Sequence, residues 1–167
     1  MASPAAAIIP AAGSGARMNA AMPKQYLNLA GKPIIIHTVT AFINCQDISQ
    51  VIVVVPSDKL AETETLLVRH QLNSKNLSVI AGGPRRQDSV LAGLKQVEPD
   101  VDIVLVHDGA RPLITPELIS RCYLAAVRSG AAIAAIPVKD TLKKGNSDQF
   151  VEDTVDRSYL WQAQTPQ

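Results

Sequence analysis

Val51-Ile52-Val53-Val54-Val55 sets five β-branched aliphatic residues in a row. A strand with one wet face alternates apolar and polar side chains. A run without alternation fits a strand covered on both faces, as in a parallel sheet between helices. Other short apolar runs, Ala5–Pro10, Leu77–Ala81, Ile103–His107 and Ala131–Pro137, recur with Gln50–Val55 along the chain, separated by longer segments of helical period. That alternation predicts an α/β fold, a mostly parallel central sheet with helices on both faces. At 167 residues and 47% hydrophobic composition, residues 1–167 suit a single domain with a sizeable core.

Helices are expected at Asp58–Leu72, Gln87–Val97 and Pro116–Ser129. Pro33 and Pro116 suit first-turn positions, where no backbone N–H is needed, Thr115 is an N-cap candidate, and Gly130 ends its helix. From Val138 to Tyr159 the rhythm breaks into a polar stretch, with Lys143-Lys144-Gly145-Asn146 as a turn between short β-prone pieces. This reads as a protruding β-arm over residues 138–160, with a long surface loop as the alternative.

The charges nearly cancel, 16 basic against 15 acidic, so nothing in the total points to nucleic acid or an anionic membrane as partner. Cys45 and Cys122 show neither paired metal-site spacing nor the density of a disulfide scaffold, and both are expected to be buried and inert. Met1–Pro10 lacks a basic n-region, and its apolar run is too short for a signal peptide or a membrane span. A soluble, cytoplasmic protein is the expectation.

The first strand runs straight into Pro10-Ala11-Ala12-Gly13-Ser14-Gly15-Ala16-Arg17-Met18, followed by Asn19 to Met22 and then Pro23-Lys24-Gln25-Tyr26. Without Cβ atoms, Gly13 and Gly15 let the backbone approach a ligand closely and turn successive N–H groups toward phosphate oxygens. Arg17 and Lys24 add two cations, and no acid lies between Gly13 and Lys24. The segment is a local anion site in a nearly neutral chain. Two familiar phosphate loops do not fit it. The dinucleotide fingerprint needs glycine where Met18 stands, and a Walker A loop needs Ser or Thr where Pro33 follows Gly31-Lys32.

Gly13-Ser14-Gly15-Ala16-Arg17-Met18 with Pro23-Lys24-Gln25-Tyr26 resembles the signature of the sugar-phosphate nucleotidyltransferases, specifically the 2-C-methyl-D-erythritol 4-phosphate cytidylyltransferase family of non-mevalonate isoprenoid biosynthesis. The resemblance continues in order through Gly82-Gly83, Asp88-Ser89-Val90, His107-Asp108-Gly109-Ala110-Arg111-Pro112, Pro137-Val138-Lys139-Asp140-Thr141, Thr154-Val155-Asp156-Arg157 and Gln164-Thr165-Pro166-Gln167.

The resemblance implies a Rossmann-like nucleotidyltransferase that transfers a cytidylyl group from CTP to methylerythritol phosphate and releases pyrophosphate. Arg17 and Lys24 match the catalytic pair, set on charge that develops at the α-phosphoryl group and the leaving tail. Ala11, Ala12, Gly13, Ser14 and Gly15 match the nucleotide loop, Gly82, Gly83, Ser89 and Gly109 the rest of the nucleotide pocket, and Asp108 the Mg²⁺ aspartate. Thr141, Arg157 and Thr165 match positions that hold methylerythritol phosphate, Arg157 through a guanidinium suited to phosphate. The arm implies a homodimer with sites completed in trans.

His107 and Arg111 read as supports of the Asp108 turn, and Arg86 as either a phosphate contact or a solvated residue at a helix start. Two positions depart from the pattern. Pro84 stands where the family often has Asp, and it lacks a donor N–H. Gly109 stands where Ala is common.

The family continues beyond Gln167 with another magnesium aspartate and a lysine, so a shortened or incomplete chain is the expectation. Two alternatives follow: a ribitol 5-phosphate cytidylyltransferase, and a non-catalytic module that binds nucleotide or dimerises. Methylerythritol phosphate is preferred because Ala12 precedes Gly13 where ribitol enzymes tend to have a second glycine, and because Asp88-Ser89 and Asp156-Arg157 fit.

Overall fold

The computed structural model describes residues 4–13, 22–74 and 76–167. Along the chain come β1 (Ala5–Pro10), β2 (Asn28–Leu29), β3 (Lys32–Pro33), α1 (Ile34–Ile43), β4 (Ile48–Val55), α2 (Leu60–Arg69), β5 (Leu77–Ala81) and α3 (Arg86–Leu94). They are followed by β6 (Ile103–Val106), α4 (Pro116–Ser129), β7 (Ala135–Pro137), β8 (Lys143–Gly145), β9 (Val151–Thr154) and β10 (Trp161–Ala163). Four strands form a parallel sheet in the order β5-β4-β1-β6.

The unbroken apolar run of β4 is explained by cover on both faces. Val51, Val53 and Val55 join Ala5, Ala7 and Ile9 of β1 in a core packed by α1, α2 and α4 through Ile35, Val39, Phe42, Leu67 and Ile119. The alternate residues Ile8, Ile52 and Val54 cluster on the opposite face. There α3 comes so close that a Cβ on Gly93 would stand 2.6 Å from Cγ2 of Ile8. Each fully buried aliphatic side chain contributes roughly 1.5–3 kcal/mol of transfer free energy.

The α4 punctuation is as expected. Thr115 Oγ1 accepts from Leu118 N at 3.3 Å, Pro116 occupies the first turn, and Gly130 closes the helix with φ of 80°. Pro33 differs, because it stands one residue before α1 in an extended conformation with ψ of 142°. A 3-10 turn, Ser57–Lys59, precedes α2, which ends at Arg69 rather than Leu72, and Gln71 then takes a positive φ of 61°. Helix α3 starts at Arg86 because Asp88 reaches back to Arg85 N at 3.2 Å, and it stops at Leu94, short of Val97.

The last sheet candidate is corrected. Only Ala135–Pro137 of the Ala131–Pro137 run is a strand, and it pairs antiparallel with β10 rather than with β6. The edge of β6 is taken instead by Gln167, which exchanges two backbone hydrogen bonds with Val106 at 2.8 and 3.0 Å. The hairpin is present, with β8 and β9 antiparallel, but its turn is displaced. Lys143-Lys144-Gly145 is strand, and the reversal falls on Asn146–Phe150, where Asn146 Oδ1 accepts from Asp148 N and Phe150 N, both at 3.0 Å. An Asn side chain that substitutes for backbone acceptors outweighs the preceding glycine as a turn signal. Cys45 and Cys122 are buried and unbridged. No helix among the described residues is long and apolar enough to cross a membrane.

Candidate active site

Three backbone hydrogen bonds extend the ladders past the carboxyl ends of the strands: Ala11 N to Val54 O at 2.7 Å, Gly82 N to Val55 O at 2.8 Å and Gly109 N to Pro10 O at 3.0 Å. They draw Ala11-Ala12-Gly13, Gly82-Gly83 and Asp108-Gly109 to one edge of the sheet, where open α/β folds place ligands. The contacts there are close, so a side chain at Gly82 or Gly109 would make its neighbours shift. A Cβ on Gly82 would lie 2.6 Å from Ser89 Oγ and 2.8 Å from Ala12 Cβ, and one on Gly109 would lie 2.9 Å from Ala11 Cβ. Ser89 is buried, and its hydroxyl accepts from Gly83 N at 3.2 Å. Pro84 is exposed beside it.

Asp108 is gripped on both oxygens. Arg86 Nη2 lies 3.0 Å from Oδ1 and Arg111 Nε 3.0 Å from Oδ2. Burial pushes this carboxyl's pKa up, but the hydrogen bond and charge of Arg86, followed by those of Arg111, outweigh it and hold the group below the usual range. Arg86 is thereby neither a lone solvated cation nor a free one, since it pairs with Asp108. Arg111 also donates to Gln164 Oε1, and its carbonyl meets His107 Nε2 at 3.1 Å. His107 is buried 5.2 Å from the Phe42 ring, and burial lowers its pKa. Both residues support the turn, as the sequence suggested.

Two further supports escaped the sequence reading. Thr38, fully buried on α1, donates to Gly109 O at 3.0 Å. Gln25, buried beside the exposed Lys24, donates to Ala11 O at 2.5 Å and Gly13 O at 3.1 Å. Their only advance signal was a polar residue within an apolar helix, for Thr38, and a polar residue next to a cation, for Gln25.

Of the other sequence candidates, Thr165 is buried with its hydroxyl 3.5 Å from Asp108 N. Thr141 and Arg157 lie elsewhere, exposed on the arm. Arg157 donates to Lys139 O and, at 3.5 Å, to Thr141 Oγ1. Among the described residues no hydrogen bond or ion pair joins them to Asp108, Ser89 or Thr165. Ser14, Gly15 and Arg17 lie outside the described residues.

No group of three or more potential metal-ligating side chains occurs among the described residues. A single carboxylate, Asp108, suits Mg²⁺ brought in on a triphosphate, because that ion typically takes one or two protein carboxylates with phosphate oxygens and water. It does not suit a metal caged by protein alone.

The chain matches the family described as IspD: 2-C-methyl-D-erythritol 4-phosphate cytidylyltransferase over residues 5–167. It is 59% identical over 162 residues to a bifunctional enzyme IspD/IspF of Desulfotalea psychrophila, covering 97% of this chain and 41% of that protein. It is 45% identical over 162 residues to the 2-C-methyl-D-erythritol 4-phosphate cytidylyltransferase of Syntrophus aciditrophicus, covering 96% of this chain and 69% of the relative. The crystal structure of 4-diphosphocytidyl-2C-methyl-D-erythritol synthase from Anaerococcus prevotii superposes with a TM-score of 0.83 at 32% identity, over 98% of this chain and 68% of that one. With sequence motifs, the fold and these matches in agreement, the chain belongs to the 2-C-methyl-D-erythritol 4-phosphate cytidylyltransferase family.

Proposed function

We propose that this chain acts in the cytoplasm as a cytidylyltransferase on CTP and 2-C-methyl-D-erythritol 4-phosphate. A phosphate oxygen of the acceptor attacks the α-phosphorus of CTP in line. The bond from that phosphorus to the bridging oxygen breaks, and pyrophosphate leaves with the electron pair. Such transfers depend chiefly on positioning and charge stabilisation, which makes cations at the phosphates the central requirement. The observation that carries the reading is the convergence of Ala11-Ala12-Gly13, Gly82-Gly83-Ser89 and the Asp108 turn at the carboxyl edge of the sheet.

In this reading Lys24 and Arg17 meet the triphosphate, while the backbone of Gly82 and Gly83 with the Ser89 hydroxyl reads the cytosine and ribose side. Asp108 is the protein ligand of Mg²⁺, and the ion supplies charge neutralisation on the phosphate oxygens. Thr165 meets the acceptor beside Asp108. Thr141 and Arg157 complete the acceptor site of a second subunit through the arm. Support for a homodimer comes from apolar side chains displayed on the arm and on the β7–β10 ribbon, with Tyr159 88%, Phe150 71% and Trp161 62% exposed.

Pyrophosphate release with CTP, Mg²⁺ and methylerythritol phosphate tests the reading, with ribitol 5-phosphate as the competing acceptor. Loss of one preorganised cation costs on the order of 10²–10³ in turnover, so Lys24→Ala should abolish most release. Release that survives this change removes the catalytic assignment. CTP binding by calorimetry without any release makes the chain a nucleotide-binding module, and a preference for ribitol 5-phosphate moves it to the other acceptor. Sedimentation tests the dimer, and a monomer at micromolar concentration overturns it.

A further inference from the structure

Gln25 is 2% exposed, yet its side-chain amide is committed to a single task. Both of its N–H bonds go to the loop that follows β1, one to Ala11 O at 2.5 Å and one to Gly13 O at 3.1 Å. A trans peptide points its C=O and N–H in opposite directions. With the Ala11 carbonyl turned to Gln25, the N–H of Ala12 faces away from it. That N–H makes no hydrogen bond among the described residues, whereas Ala11 N is held by Val54 O. Gln25 also belongs to the 3-10 turn Lys24–Tyr26, which starts with Lys24. The turn is anchored on its far side by Tyr26, whose hydroxyl lies 2.8 Å from Thr63 Oγ1. One side chain therefore joins the first peptides of the glycine loop to the backbone that carries Lys24, across twelve to fourteen residues of chain.

We propose that Gln25 is a positioning residue for triphosphate binding. It orients the Ala12 N–H toward the phosphates and sets the distance between that donor and Lys24. The inference rests on the reading of this loop as a CTP site. Gln25 itself touches no substrate. Its amide matters because its two N–H donors serve two carbonyls at once. A carboxylate has no N–H to give, and a thioether of equal length makes no comparable bond.

The test uses the whole chain with CTP, CMP and cytidine as probes, measured by calorimetry for CTP and CMP and by NMR titration for cytidine. In Gln25→Met, CTP affinity is expected to fall about tenfold, the scale of two lost intramolecular hydrogen bonds, with CMP falling less and cytidine within about twofold. Equal weakening of all three ligands, or unchanged CTP affinity, overturns the proposal. Gln25→Glu should reproduce the graded loss. A measurement that needs no variant is amide exchange of Ala12 in the unaltered chain. CTP should slow it and cytidine should leave it unchanged. If CTP gives no protection there, the proposal fails. Absence of CTP binding by the unaltered chain would instead remove the cytidylyltransferase reading.

Discussion

Arg86 on the first turn of α3 and Asp108 on the turn after β6 form an ion pair of 3.0 Å, which ties the Gly82–Ser89 segment after β5 to the end of the strand at the opposite edge of the sheet. The pair is half open to solvent, with Arg86 50% and Asp108 32% exposed, so its stability contribution is only about 0.2–1 kcal/mol. Its larger effect is on the carboxyl proton. Replacing Arg86 with Gln should raise the Asp108 pKa toward the usual aspartate value, read by the side-chain carboxyl ¹³C shift as pH is lowered. Arg86→Lys should restore part of the depression. An unchanged Asp108 titration in Arg86→Gln would mean that Arg111 alone holds the carboxylate.

Burial of His107 gives a pH dependence of known sign. Its folded-state pKa is depressed, so its contribution to stability is present above about pH 6.5, the ordinary value, and is lost as pH falls through the lower folded value. Urea unfolding at pH 7.5 and at pH 5.5 should show a loss in the unaltered chain that His107→Gln reduces. Equal losses in the two proteins would place the pH sensitivity elsewhere.

Gly93 opposes two effects of known size. In a helix interior, Gly→Ala gains about 1 kcal/mol from propensity. Here the added methyl would stand 2.6 Å from Ile8 Cγ2, on a fully buried side chain at the centre of the sheet. Overpacking of this kind costs about 1–3 kcal/mol, so Gly93→Ala should be net destabilising in urea titration. A stabilised variant would show that α3 can lift off the sheet without penalty.

Thr38 offers a test of how the Asp108 turn is held. Thr38→Val keeps the shape but leaves the buried Gly109 carbonyl without its donor at 3.0 Å, a loss on the order of 1–3 kcal/mol. Thermal unfolding measures this cost, and Thr38→Ser should recover most of it. If valine is tolerated without loss, the carbonyl has another partner.

The parallel sheet and its two covered faces were legible in the amino-acid order, because five consecutive aliphatic residues in β4 have no wet side on which to place them. The caps of α4 were equally plain, since Thr115 acts through its own short side chain and Pro116 and Gly130 through their own backbones. Element ends were less so. The turn of the arm moved onto Asn146, whose side chain competes with the backbone for hydrogen bonds, and β7 pairs with β10 in an antiparallel ribbon while Gln167 takes the edge of β6.

The order of residues was enough to mark the family, and to name Pro10 to Lys24 as a candidate anion loop with Asp108, Ser89 and Arg157 as candidate site residues. Glycine spacing, charge and side-chain type are local properties, carried by the chain whatever it folds into. Folding was needed to bring Gln25 to Ala11 and Gly13, Thr38 to Gly109 and Arg86 to Asp108, contacts that span 12 to 71 residues of chain. Hydrogen bonds and ion pairs act over about 3 Å, and partners so far apart in sequence come within that range only when the packed sheet and helices fix where each strand ends.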